Sequence, residues 1–490
     1  MTTTVLAVAP IVVPLAAAAV SLIAGWRRAA AIGDVVAALS ILVCGVALAT
    51  EVGSQPVTGV GHLLRADSLT ALMLIVIGAV GTLATWASID YIDTELAEGT
   101  TTAADARQYA TLVPLFLAAM SLAVLADNLG VIWTAIEATT IATAFLVGHR
   151  RTRQSLEATW KYVIVCSFGI TLAFLGTVII YLTSIHSGAA TSSALDLDVL
   201  AAHASHLDPT LTRLAVGLLF VGFGAKAGLV PFHTWLADAH SQAPAPVSAL
   251  MSGVLLAVAF SILLRLRVIA DLALGDGYMR AMFLAIGLAT LLVAVSLLIG
   301  QRDFKRLLAY SSLEQMGLLA VASATGNRLA SAGVLLLIAA HGMAKAVLFL
   351  TAGQLQHAHR STLIADVRGL LGRSRLLGAT LAVALVGLVG LPPFGLFAAE
   401  LAIARGMAAD ELAIPLGVAG LLLAVGLIAI TRHGSGMLLG DADADAPSLA
   451  VPATSAAPLL VGITAFTALG VLGGPLTHLF AQAAAAVAGQ

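Results

Sequence analysis

The sequence predicts an all-α polytopic membrane protein of about fourteen transmembrane helices, with two inverted five-helix repeats that each contain a broken helix. Three observations lead there. The 490 residues are 60% hydrophobic and only 10% charged, with a mean hydropathy of +1.01, whereas soluble domains carry roughly 25% charged residues. Apolar runs long enough to cross a bilayer recur along the whole chain. The signature Gly-Leu-x-Pro-Phe appears twice, at Gly228–Phe232 and Gly390–Phe394.

The runs fall near 4–25, 29–50, 67–89, 109–126, 129–148, 158–182, 212–234, 245–264, 279–300, 305–324, 329–353, 377–404, 412–431 and 454–480. The first lacks a basic n-region and is followed by Arg27 and Arg28, the reverse of a secretory signal, so it reads as a retained helix. Residues 1–108 hold helices one to three, 109–270 the first repeat, 271–432 the second, and 433–490 a loop and the fourteenth helix. Assigning loops alternately gathers most loop arginines, from Arg27 and Arg28 through Arg150, Arg151 and Arg153 to Arg432, with Lys305, on one side. Basic loops stay cytoplasmic, so both termini are expected outside a bacterial or archaeal cell membrane. The loop at 90–107 is acid-rich and weighs little against this.

A formal net charge of -2 gives no reason to expect a nucleic-acid partner. Cys44 and Cys166 lie in apolar runs without ligand spacing, and no metal, haem, iron–sulfur centre or other cofactor is expected. His186, Asp196, Asp198, His203, His206 and Asp208 in the loop 183–211 are irregularly spaced and read as solvated loop rather than metal ligands. Asp441, Asp443 and Asp445 alternate with alanine without the glycine and glutamate of a calcium loop, and read as a solvated turn.

Each Gly-Leu-x-Pro-Phe signature removes a backbone donor inside an apolar run, which predicts a helix break with exposed backbone groups. Paired breaks in corresponding runs of opposite polarity are the mark of an ion site in transporters, although two kinked helices without a transport role would share it. Ionisable residues accompany them. Lys226 precedes the first break, and His233, Asp238 and His240 follow it; Glu400 follows the second. Glu137 lies mid-way along the fifth run, one turn beyond Trp133, and is the candidate partner of Lys226. Lys161 opens the sixth run, where relay and snorkelling to the interface are equal readings. Histidine relays protons near neutral pH, a role that falls to His233, with His240 read as a helix-end hydrogen-bonding group. Ser311, Ser312, Glu314 and Gln315 form a polar cluster in the tenth run, and His341 and Lys345 share a face of the eleventh. Intramembrane ionisable groups cost a few kcal/mol and mark function more often than packing.

Four stretches, GFGAKAGLVPFHTWLADAHSQAPAPVSALMSG at 222–253, DFKRLLAYSSLEQMG at 303–317, HGMAKAVLFL at 341–350 and LPPFGLFAAE at 391–400, resemble the antiporter-like, proton-conducting membrane subunits of complex I, Mrp and membrane-bound hydrogenases. The chain looks most similar to component F subunits of hydrogenase-4. The resemblance implies repeats of helices four to eight and nine to thirteen, and proton transfer through Glu137, Lys226, His233, His341, Lys345 and Glu400. Lys161, His240, Glu314, Lys305 and Asp238 are secondary candidates. It also implies partners: other membrane subunits and a peripheral hydrogenase or dehydrogenase arm that performs the redox chemistry. Many complex I members carry a lysine or histidine in the eighth helix, whereas ALMSGVLLAVAFSILL in this chain offers only Ser248, Ser252 and Ser261. The chain also lacks the long lateral helix of the largest complex I homologue. Two alternatives share the fold: a cation/proton antiporter or inorganic-carbon uptake subunit, and a non-pumping anchor of a hydrogenase.

Overall fold

The computed structural model describes residues 3–52, 56–61, 63–439, 449–471 and 476–487, and the aspartate tract at 441–445 lies outside them. The chain begins with α1 (Thr3–Ala24) and α2 (Arg28–Glu51). A two-stranded antiparallel hairpin of β1 (Val57–Gly59) and β2 (Leu64–Ala66) follows. Then come α3 (Ser68–Ala97), α4 (Ala103–Leu125), α5 (Leu129–Val147) and α6 (Arg153–His186). The loop expected at 183–211 holds a short α7 (Leu197–Ala202). Next are α8 (Pro209–Lys226), α9 (Trp235–Gln242), α10 (Ala245–Leu250) and α11 (Leu256–Leu274), the last two joined by a π-helical turn at Met251–Leu255. The remainder comprises α12 (Asp276–Ile299), α13 (Phe304–Ala322), α14 (Arg328–His359), a four-residue α15 (Leu370–Arg373), α16 (Arg375–Leu388), α17 (Gly395–Ala409), α18 (Ala413–Leu439), α19 (Ala453–Val471) and α20 (Thr477–Val487). Among the described residues, eleven continuous helical segments are long and apolar enough to span a bilayer, which makes the chain a polytopic integral membrane protein.

Polar residues at the ends set where these helices start. Asp67, Thr102, Asn128, Thr152, Asp208, Asp303, Asn327 and Ser374 each accept a hydrogen bond from a first-turn backbone N–H, meeting donors that the helix leaves open. Asp67 also takes two bonds from Arg265 at 2.7 and 2.9 Å, tying α3 to α11. Burial pushes the Asp67 carboxyl up, but the Arg265 guanidinium outweighs it and holds the group below the usual carboxylate range.

Several expected boundaries move. α3 runs on to Ala97, so Asp90, Asp93 and Glu95 are helical rather than loop residues. Each has a partner there: Thr454 and Ser455 reach Asp90, Trp26 reaches Asp93, and Arg150 reaches Glu95. α14 likewise continues through His357 to His359 into the expected connector 354–376. The run at 454–480 contains parts of both α19 and α20, and α20 lies against α3, α11 and α14.

The central rods are the 245–274 segment, whose most apolar window is entirely buried, and α14, which is nearly so. Lipid has no hydrophobic preference for tails over side chains, so close approach at small residues holds such helices together. A Cβ on Gly222 in α8 would stand 2.6 Å from both Ala173 N and Gly169 O of α6. Between the central rods, Cβ atoms on Gly253 and Gly342 would meet each other's carbonyls at 2.8–2.9 Å.

Both predicted breaks are present, and they are built alike. α8 stops where Gly228 adopts φ +80° and α16 where Gly390 adopts φ +70°, backbone that a side chain would strain. Gly228 N and Leu229 N donate to Ala225 O and Gly224 O; Gly390 N and Leu391 N donate to Gly387 O and Val386 O. Phe232 and Phe394 then bond back to Leu229 and Leu391. This is the same glycine-centred helix stop in both places, followed by proline that cannot resume the helix. We expect Gly222→Leu to destabilise the detergent-solubilised protein by about 1–3 kcal/mol, read as earlier thermal unfolding, with Gly277→Ala at an open position as the unshifted control.

Candidate functional site

The site begins where α8 ends. Lys226 is 2% exposed and sits in the last turn, where a cation meets the unpaired carbonyl end of a helix. Its Nζ donates to Thr140 Oγ1 of α5 at 2.9 Å and to the Tyr162 hydroxyl of α6, and stands 4.7 Å above the Tyr162 ring. Tyr162 is held in turn by Thr143 and by an edge contact to Trp235, whose indole donates across the break to Ala225 O at 3.0 Å. Glu137, one turn before Thr140, makes no ion pair with Lys226; it is half-buried and its Oε2 has no partner among the described residues. Hydroxyls make the direct contacts to Lys226, while Glu137, the candidate partner, stands within electrostatic reach of the lysine, with Thr140 on the same face of α5 between them. Trp133 is occupied elsewhere, donating to Ile170 O at 2.8 Å.

A second buried cation lies on α14. Lys345 Nζ donates to Leu308 O at 2.8 Å and to Ser311 of α13. His341, one turn earlier and fully buried, has both ring nitrogens unpartnered among the described residues. Ser252, in the π-helical turn, lies 2.6 Å from Ser312, whereas Ser248 bonds to His240 O and Ser261 to its own helix. Of the three serines in the uncharged eighth run, Ser252 is the one whose side chain meets that of another helix.

Two carboxylates on the second half occupy glycine hollows. A Cβ on Gly426 of α18 would collide with Glu314 Oε1, and one on Gly390 with Glu400 Oε2. Glu314 thus packs against α18, and Glu400 folds back onto the glycine that ends α16.

The two histidines after the first break change places relative to expectation. His233, expected as the central relay, is half-exposed in the break with Nδ1 unpartnered among the described residues. His240, read as a helix-end group, is fully buried with neither ring nitrogen bonded among them and stacks on Phe349 of α14 at 5.4 Å. Asp238 joins Arg306 at 2.6 Å and Lys161 at 3.1 Å. Lys161 is half-exposed and also paired with Glu157 at 2.7 Å. Lys305, expected in a basic loop, is fully buried in the first turn of α13 and donates to Ala243 O at 2.7 Å. In the 183–211 segment, Asp196 binds Asn128 at 2.7 Å and Asp208 caps α8.

Sequence reasoning missed Thr140, Thr143 and Tyr162 because hydroxyl residues in apolar runs carry no signal until their helix face is known. It missed Glu95, Arg150 and His357 because they were assigned to separate loops; Glu95 takes Arg150 at 3.0 Å in a cluster where α3 and α14 meet the α5–α6 connection.

Residues 126–425, which hold these groups except Glu95, match the family described as NADH:quinone oxidoreductase/Mrp antiporter, transmembrane. The chain is 34% identical over 369 residues to a hydrogenase-4 component F homologue of Methylacidiphilum infernorum, covering 75% of this chain and 78% of that one. It is 28% identical over 432 residues to F(420)H(2) dehydrogenase subunit N of Methanosarcina mazei, covering 86% and 84%. The fold matches a chain of an archaeal membrane-bound sulfane sulfur reductase with a TM-score of 0.89 at 20% identity, covering 99% and 98%. It matches a chain of the Mrp complex of Dietzia sp. with a TM-score of 0.86 at 21% identity, covering 100% and 98%. The chain belongs to the NADH:quinone oxidoreductase/Mrp antiporter transmembrane family.

Proposed function

We propose that this chain is the proton-translocating, antiporter-like membrane subunit of a hydrogenase- or dehydrogenase-type redox complex in a bacterial or archaeal cell membrane, with both termini outside. The observation that carries the reading is that Lys226 and Lys345 are buried in the membrane region, held by hydroxyl and carbonyl oxygens without an ion pair to any carboxylate among the described residues. A buried charge compensated by neutral dipoles changes its proton occupancy when a nearby charge changes, whereas a closed ion pair holds it. The names of the relatives, a hydrogenase-4 component and a dehydrogenase subunit, support a place in a multi-subunit complex.

In this reading α8 with α9 and α16 with α17 each form one broken span, and α13 is a further span, which brings the eleven continuous segments to fourteen. Residues 109–270 and 271–432 are then inverted five-helix repeats, supported by the matching hydrogen bonds at the two breaks. Protons pass by way of Glu137 and Lys226 in the first repeat, then His341, Lys345 and Glu314, and leave by Glu400. Carriers on successive helices suit stepwise transfer, because moving a proton onto one group alters the charge felt by the next.

Glu137→Gln and Lys226→Ala should assemble normally yet lower redox-driven proton uptake by inverted vesicles by about 100-fold; parental rates in both would leave only the anchor reading. Sodium-dependent cation flux by the subunit alone would instead favour the antiporter reading. Tyr162→Phe should give a smaller loss, since Thr140 still holds Lys226 and one hydrogen bond is worth about 1 kcal/mol; the rate against pH distinguishes a repositioned lysine from a lost one. Gly426→Ala forces Glu314 out of its hollow, and translocation should fall as far as in Glu314→Gln, measured in the same vesicles.

A further inference from the structure

Outside the groups used so far, a cluster of ionisable side chains lies at the end of the bundle that bears the arginine-rich connections. Glu95 is its centre. One carboxylate oxygen accepts from Arg150 at 3.0 and 3.3 Å and faces His357 Nε2 at 4.0 Å. The other accepts from Thr101 at 2.9 Å and lies 3.3 Å from His149 Nε2. Tyr91 stacks on His357 at 4.4 Å and accepts from Arg150 at 2.7 Å. A cavity of about 500 Å³ opens beside them, lined by Glu95, Glu98, Arg150, Gln356, His357 and Arg360. That is space for many waters, and its walls supply the polar partners water needs.

The cavity has a continuation inward. Gln356 Oε1, on its wall, lies 3.5 Å from Lys305 Nζ, which also donates to Ala243 O at the end of α9. His240, three residues before Ala243, is buried within electrostatic reach of both Lys305 and Lys345, and its two ring nitrogens have no hydrogen-bond partner among the described residues. Lys345 bonds to Leu308 O, one turn along α13 from Lys305. Two buried lysines and a buried imidazole thus run from the cavity wall to the centre of the second half.

We propose that this cavity is the aqueous portal through which protons are exchanged between the arginine-rich face and Lys345, with Lys305 and His240 as the carriers between them. The proposal rests on the proton-translocating function above. Each step moves one proton and no electrons: it leaves the nitrogen of one carrier and binds the nitrogen of the next, and the last exchanges with water in the cavity. Glu95 is a positioning residue, whose carboxylate keeps Arg150 and His357 on the wall and offsets the charge of Arg150, so that a cation entering the cavity is not repelled.

The test uses the intact complex in vesicles of known orientation. Glu98→Cys places a thiol on the exposed rim; the native Cys44 and Cys166 are buried and leave low background labelling. A membrane-impermeant maleimide added at the arginine-rich face should label this thiol and lower redox-driven proton translocation at least roughly tenfold, and added at the other face should do neither. Gln356→Leu, which removes the polar link to Lys305 without adding bulk, should cause a loss of similar size while the complex still assembles. Lys345→Met in the same assay tests the underlying function. Translocation at the parental rate in that variant overturns the function itself. If Lys345→Met stops translocation but the thiol stays unlabelled, or labelled Glu98→Cys or Gln356→Leu works at the parental rate, the portal alone is overturned.

Discussion

An ammonium group held inside a bundle that lipid surrounds must be met by oxygen from the protein itself, and the architecture around Lys226, Lys305 and Lys345 follows from that constraint. None of the three is met by a carboxylate among the described residues. Lys226 takes a threonine and a tyrosine hydroxyl, Lys345 a carbonyl and a serine, and Lys305 a carbonyl and an amide oxygen. Each set comes from helices other than the lysine's own, so α8 with α5 and α6, and α14 with α13, must pack at the right register for the charges to be tolerated. Close glycine contacts such as Gly222 on α6 provide that register.

The two helix breaks share a backbone but not a chemistry. The same glycine stop ends α8 and α16, yet the first break has Lys226 just before it and the second has Leu388 at the equivalent place. Conversely, Asp238 and Glu400 stand at the same step after their turns; Asp238 is neutralised by Arg306 and Lys161, whereas Glu400 lies against the turn glycine with no ion pair among the described residues. The same helix stop therefore has a cation beside it in one place and an acid without an ion pair among the described residues in the other. In the proposed relay, that difference would set a direction along the carriers, which a symmetric pair of sites would lack.

The sequence alone reveals the membrane class, the two breaks and the buried charges, because hydropathy, glycine–proline punctuation and isolated ionisable residues are local signals. Partnership is not local. Glu137 is the candidate partner of Lys226 because both are rare charges in apolar runs, but only the rotation of α5 shows that Thr140 makes the contact while the carboxylate acts from further off. His233 and His240 differ by seven residues, and only the path of the chain after Pro231 decides which of them is carried into the core. Lys305 read as a loop cation because it opens a helix beside Arg302 and Arg306, yet Asp303 starts α13 at a depth where the lysine is already enclosed. The Glu95 cluster joins residues from positions 91 to 360, a distance in sequence that no motif spans.

The uncharged central segment gains a physical sense from its surroundings. The most apolar window of the 245–274 segment is entirely buried, and its π-helical turn meets α14 where Gly253 and Gly342 leave no room for side chains. A lysine placed on that contact would have to force apart the two rods that hold the bundle together. The polar groups stand around the contact instead: Ser252 beside Ser312, His341 next to Gly342, and His240 against Phe349 one turn beyond Lys345. In the proposed relay, charge therefore moves along α14 and α13 past the tight crossing rather than through it. In that relay, a histidine on α9 and one on α14 would take the place of the charge that many complex I members carry on the eighth helix.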